Sequence, residues 1–159
     1  MSSGAVEEQL AVHGRALADG LTAHLGGWVR RVVEQRLADW GGEVAGDVAA
    51  AIERAGMQAV ALAAPRLVAL ANADVDALSD TPLSIVRDAV VFPTAVLKGA
   101  GVPPILRDDF DRDRFPHDLY GLTPANLNEV DPGVGELALV WGAARAFVLA
   151  DRRRSERRR

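Results

Sequence analysis

Residues 28–40, WVRRVVEQRLADW, decide the fold class of this chain. Trp28, Val29, Val32, Val33, Leu37 and Trp40 recur at steps of three and four, while Arg30, Arg31, Glu34 and Asp39 fall mostly on the other side. That spacing places one apolar face on an α-helix, whereas a half-buried strand would alternate at every second residue. Gly41-Gly42 then ends the segment, since glycine is a poor helix former and adopts the backbone of a helix terminus readily.

The same spacing extends outward on both sides. Upstream, Val6, Leu10, His13, Leu17, Leu21 and Leu25 form a second stripe. Gly26-Gly27 punctuates the two stripes, although a glycine inside a long helix costs only about 1 kcal/mol. Downstream, a stripe beginning near Glu43 uses Val44, Val48, Ile52 and Met57. From Ala55 to Leu70 the chain is apolar on every side, with Val60, Leu62, Leu67 and Val68, so this helix is expected to be buried in the domain or against another subunit. Pro65 predicts a kink or a fresh start.

Asn72 to Asp80 reads as a connection. Thr81-Pro82 predicts a helix start, with Thr as cap and Pro in the first helical position. The helix that follows carries Leu83, Val86, Val90, Val91, Val96 and Leu97, is interrupted by Pro93, and closes at Gly99 and Gly101 before Val102-Pro103-Pro104. Residues 105–123 read as a charged, ordered loop anchored by Phe110, Phe115, Leu119 and Tyr120. Thr123-Pro124 opens a short helix with Leu127 and Val130. Asp131-Pro132 opens the last one, with Leu137, Val140, Trp141, Ala144, Phe147 and Val148. Strand-like alternation and repeats of 20 to 50 residues are absent. The expected architecture is all-α, a helical bundle of five or six helices with a Pro-rich ordered loop. One helical domain covers residues 1–150, divisible into sub-modules 1–72 and 81–150, and residues 151–159 are expected to be a basic, disordered tail.

Composition supports close helix packing. Of 159 residues 49% are hydrophobic, but many are alanine, and there are only three Trp, four Phe and one Tyr. Lys98 is the single lysine, and arginine with abundant alanine suggests a GC-rich bacterial genome. Cysteine is absent, which excludes disulfides and thiolate metal sites and fits a reducing compartment. The N-terminus has no basic region followed by an apolar run. The longest uncharged stretch, Ala55 to Pro65, is shorter than the roughly 18 to 20 residues that cross a bilayer, so no membrane association and a cytoplasmic location are expected. Residues 1–150 hold 12 basic against 20 acidic side chains, a net of −8. Residues 151–159 hold six arginines against Asp151 and Glu156, a net of +4. Nucleic acid is not the expected partner of an acidic body, because phosphate contacts need clustered cations.

The segment Arg107 to Asp118 holds the candidate divalent-cation ligands Asp109, Asp111, Asp113 and His117. Asp109, Asp111 and Asp113 copy the first three ligand positions of an EF-hand calcium loop, but Arg114 stands where the loop needs Gly and Tyr120 where it needs a bidentate Glu. A site of another geometry, with Asp108 added, is the alternative, either as a metal or ligand site or as acid and base of a small enzyme. His13 and His24 share a helix face but stand about 16 Å apart, too far to hold one ion. His117 beside Asp118 has the composition of an acid–base pair without a nucleophile. None of the serines lies in a Gly-x-Ser-x-Gly turn. Gly133-Val134-Gly135 is flanked by Asp131 and Glu136, which would repel a phosphate. A helix-turn-helix over residues 28–56 would place Glu43, Asp47 and Glu53 against DNA.

The C-terminal half resembles a family of small actinobacterial proteins with no assigned function. The resemblance rests on Thr81-Pro82-Leu83, Gly101-Val102-Pro103-Pro104, Arg107-Asp108, Phe115-Pro116-His117-Asp118, Tyr120-Gly121-Leu122-Thr123-Pro124, Asp131-Pro132 and Trp141-Gly142-Ala143-Ala144, covering about residues 81–150. It implies a bacterial cytosolic protein and carries over no catalytic residue. The functional expectation is a helical protein–protein interaction or self-association module, not an enzyme, with no cofactor and with Arg107, Tyr120 and Trp141 as candidate partner-binding anchors. The tail arginines Arg152, Arg153, Arg154, Arg157, Arg158 and Arg159 offer a further alternative, weak contact with nucleic acid.

Overall fold

In the computed structural model, which describes residues 3–158, the two stripes on either side of Gly26-Gly27 form one helix, α1 (Ser3–Trp40). Its buried line runs Val6, Leu10, Gly14, Leu17, Leu21, Leu25 and Trp28. Steps of four, four and three repeat every 11 residues, close to the helical period, so the stripe stays nearly straight along about 33 Å of helix. The glycine pair costs about 2 kcal/mol of helix propensity. Burial of Leu21, Leu25, Trp28 and Val29 around it stabilises by roughly 1.5–3 kcal/mol each, so the helix continues. His13 is not on the buried line. Gly14 takes that place, and His24 is exposed with Nδ1 3.7 Å from the Asp131 carboxylate.

The next helix, α2 (Val48–Ala71), starts later than residue 43 because Asp47 accepts a hydrogen bond from the Ala50 amide. Residues 41–47 form a strap fastened by Ala45 N donating to the Ala100 carbonyl, 3.1 Å away. Pro65 does not end α2. The carbonyl it leaves without an amide belongs to Ala61, on the exposed side, where water can reach it. The helix closes on Ala73, which holds the left-handed backbone (φ +57°) more usual for glycine.

The expected fourth helix is two, α3 (Thr81–Asp88) and α4 (Val91–Gly99). Pro93 has no amide to continue the first of them and instead falls in the first turn of the second, where no amide is needed. Asp80 occupies the cap position, one residue before Thr81. Then come α5 (Asp109–Arg114), a single 3₁₀ turn (Leu127–Glu129) and α6 (Pro132–Arg157), with no strand among the described residues. Asp131 starts α6 by accepting from the Gly133 and Val134 amides.

Two helices flank α1, both antiparallel to it. Gly14 meets Leu70 and Gly26 meets Gly56 on α2; on the other flank Gly20 meets Leu137, and Glu7 pairs with Arg152 at 3.3 Å. α4 packs on α1 and α2, and α3 is tied to α2 by Arg66, which reaches Asp88 at 2.5 Å and Ser84 at 2.9 Å. One contiguous core runs from Val6 to Val148, with Trp28, Trp141 and Tyr120 its largest enclosed side chains.

Residues 151–157 of the tail expected to be disordered are helical. They continue α6, since Arg is a good helix former and Arg154 lies 3.7 Å from Asp151 one turn earlier. Met1, Ser2 and Arg159 lie outside the described residues. By length and composition alone α6 is apolar enough to cross a membrane, with 22% of its most apolar window buried. Counting uncharged runs misses this, because Glu136 and Arg145 interrupt the run.

A Cβ on Gly14 would overlap the backbone carbonyl of Leu70, which cannot swing aside as a side chain would. Gly14→Ala is therefore expected to lower stability by about 1–3 kcal/mol, despite better helix propensity. Gly27→Ala, whose Cβ would meet only Arg31 at 3.8 Å, should raise it by about 0.5–1 kcal/mol. Urea unfolding followed by circular dichroism separates them, and equal effects would sink the close-approach account.

Candidate functional site

Gly135 of α6 is buried against Asn128, while Val134, Trp141 and Val148 share the side that the long helix α1 covers. The opposite side carries Leu139, Val140, Ala143, Ala146, Phe147 and Ala150, all exposed, with Leu139 75% and Phe147 50% accessible. At 100° per residue these six share an arc of about 120°. Glu136 sits at the N-terminal end of this face and Arg154 at the C-terminal end, five turns later and at the same azimuth. Arg154 lies 5.9 Å over the Phe147 ring, and Glu136 has no ion-pair partner among the described residues.

A second uncovered face lies on α2. Met57, Ala61, Ala64 and Val68 follow steps of four, three and four, and Met57 is 73% exposed. Beside them a groove of about 610 Å³ opens between α1 and α2, floored by Gly26 and Gly56, with Ala23 on one wall. The expectation for residues 55–70 is burial in the domain or against another subunit, and the domain covers only one side of them. Ala55, Ala59, Ala63, Leu67 and Leu70 supply the inner stripe, which leaves Leu62 and Val68 in solvent and Met57 outside the core.

The Pro-rich segment is held by buried polar contacts. Asp118 turns inward and accepts from the Leu122 amide (2.8 Å), the Thr123 amide (2.9 Å) and the Thr123 hydroxyl (2.7 Å). Sequence reasoning missed this role; the signal was the Asp-x₃-Leu-Thr spacing, in which a carboxylate can reach amides four and five residues on. The Tyr120 hydroxyl donates to the Val102 carbonyl at 2.7 Å, fastening the segment to the end of α4. Phe115 lies between Arg87 (5.5 Å) and Arg114 (5.2 Å), and Arg107 donates to the Phe115 carbonyl at 2.6 Å.

Two of the three partner-binding candidates are corrected. Tyr120 and Trp141 are enclosed because their rings fill the core, and neither can anchor a partner. Arg107 is half-buried and bound within its own loop. Asp109, Asp111 and Asp113 lie on α5, where Asp109 and Asp113 share a face and Asp111 points to the other side, about 160–200° away. Asp109 pairs with Arg112, Asp108 caps α5 by accepting from the Asp111 amide, and His117 is exposed while Asp118 points inward. No group of three or more His, Cys, Asp or Glu among the described residues is placed to hold a metal ion. The side chains of Arg152, Arg153, Arg154, Arg157 and Arg158 are exposed on the last turns of α6. No family model, no curated protein and no solved structure matches this chain.

Asp118→Ala would strip the Leu122 and Thr123 amides of their acceptor, so a loss of about 2–4 kcal/mol is expected, with faster amide exchange at those two residues. A change near zero would refute the structural role. Burial raises the Tyr120 phenol above its usual value near 10. Its contribution is intact below that value and is lost as pH climbs through the higher folded one. Tyr120→Phe should flatten the alkaline fall in stability, at a cost of about 1 kcal/mol at neutral pH. An unchanged alkaline slope in thermal melts would contradict it.

Proposed function

We propose that this chain is a helical protein–protein interaction or self-association module. One observation carries the reading: the outer face of α6 is apolar without interruption from Leu139 to Ala150, and no described residue covers it. A contiguous apolar face rimmed by charge is the surface pattern of a docking site. The α2 face with its groove is of the same kind. Asp108 and Asp118 bind amides within the loop, Asp109 pairs with Arg112, and Asp111 points away from Asp109 and Asp113, so less supports the acidic cluster as a reaction centre. Nucleic-acid contact through the arginines is disfavoured by the acidic body that surrounds them.

A cytoplasmic location, as in the actinobacterial family that the C-terminal half resembles, belongs to the same proposal. α6 has the length of a membrane span, but one side of it is committed to α1 and arginines follow its apolar stretch.

Sedimentation velocity from low to high micromolar concentration tests the reading. The expected result is a mass that rises with concentration and reverts to monomer in one of two double variants, Leu139→Glu/Phe147→Glu or Met57→Glu/Val68→Glu. All four side chains are exposed, so both variants should keep their helical circular dichroism. A strict monomer at high micromolar concentration that also recovers no partner from its host would reject the proposal.

A further inference from the structure

We infer that the outer face of α6 takes a second copy of this chain as its partner, as an antiparallel helix pair with its two-fold axis near position 145. The inference rests on the interaction-module reading and specifies its partner and register. Glu136, Ala143, Phe147 and Arg154 lie within about 20° of one line along α6, with Val140 and Ala150 just to either side of it. The line is acidic at one end, basic at the other and apolar between.

In an antiparallel pair each residue faces the one equally far beyond position 145. Glu136 then meets the partner's Arg154, and by symmetry Arg154 meets the partner's Glu136. Phe147 lies over the partner's Ala143, a large side chain against a small one, and Val140 meets the partner's Ala150. A parallel pair would set Glu136 beside the partner's Glu136 and Arg154 beside the partner's Arg154, two like-charge contacts. Alanines at 143, 146 and 150 allow two helix axes to approach to about 8–10 Å. Arg154 is 58% exposed and its present contacts are long, 3.7 Å to Asp151 and 5.9 Å to the Phe147 ring, so it can turn to a partner's carboxylate. One helix face is smaller than a standard interface, so the pair is expected to exchange with monomer at concentrations on the order of micromolar.

Charge reversal tests the register. Glu136→Arg and Arg154→Glu should each weaken self-association about tenfold, and the double reversal should restore it, with circular dichroism confirming that each variant folds. Because the chain has no cysteine, single introduced thiols report the direction. Ala146→Cys, whose two copies would be offset by about 3 Å along the axis, should be joined by a short bis-maleimide. Leu139→Cys, offset by about 18 Å, should not.

Cross-linking of Leu139→Cys, or a dimer indifferent to both reversals, would overturn this inference and leave self-association through α2 standing. A monomer at every concentration, with no partner, would overturn the interaction reading as well. A monomer that sediments with anionic lipid vesicles, and loses them on Phe147→Asp, would assign the α6 face to a membrane surface and overturn the inference too.

Discussion

The constraint on which the rest depends is the straight apolar line of α1. A helix of 38 residues with a buried line along most of its length cannot stand in water alone, and it has to be covered over that length. Two long helices do this, α2 and α6, each antiparallel and each seated against glycines of α1. Glycine at 14 and 26 admits the α2 backbone, and glycine at 20 admits Leu137. The order of the elements follows: the cover on one side comes directly after α1, and the cover on the other arrives only at the end of the chain.

The distance between those two covers explains the middle segment. Residues 72–131 must carry the chain from the end of α2 back to the start of α6, beside Asp131 and His24. Short helices broken by proline, then a loop locked by Asp118 and Tyr120, make that return. The loop therefore concentrates chemically suggestive residues for a structural reason. Asp108 caps α5, Asp109 pairs with arginine, Asp118 binds amides, and Tyr120 is enclosed, while Phe110, expected as an anchor, stays exposed.

Covering one helix from two sides also leaves outer faces. Because α2 packs through alanines, it needs a single narrow stripe inward, and the rest of an apolar helix then faces solvent. The same holds for α6, whose inner side is filled by Trp141 and Val148 while Leu139 and Phe147 stay accessible. The uncovered surface thus follows from the cover that α1 requires, and it is where a docking function finds its support.

The sequence by itself determined the helical class, because three-and-four spacing at residues 6–40 admits no strand and depends on no distant contact. It also determined the start of α6, since an Asp cap followed by Pro acts within one turn. Tertiary structure alone decided that Gly26-Gly27 lies inside one helix, because the burial that outweighs the glycine cost comes from α2 and α6. It alone sent Tyr120 and Trp141 inward and left Met57, Leu139 and Phe147 outside. Spacing shows that a side chain is apolar and on a face, but which face is covered depends on how many partners the helix has.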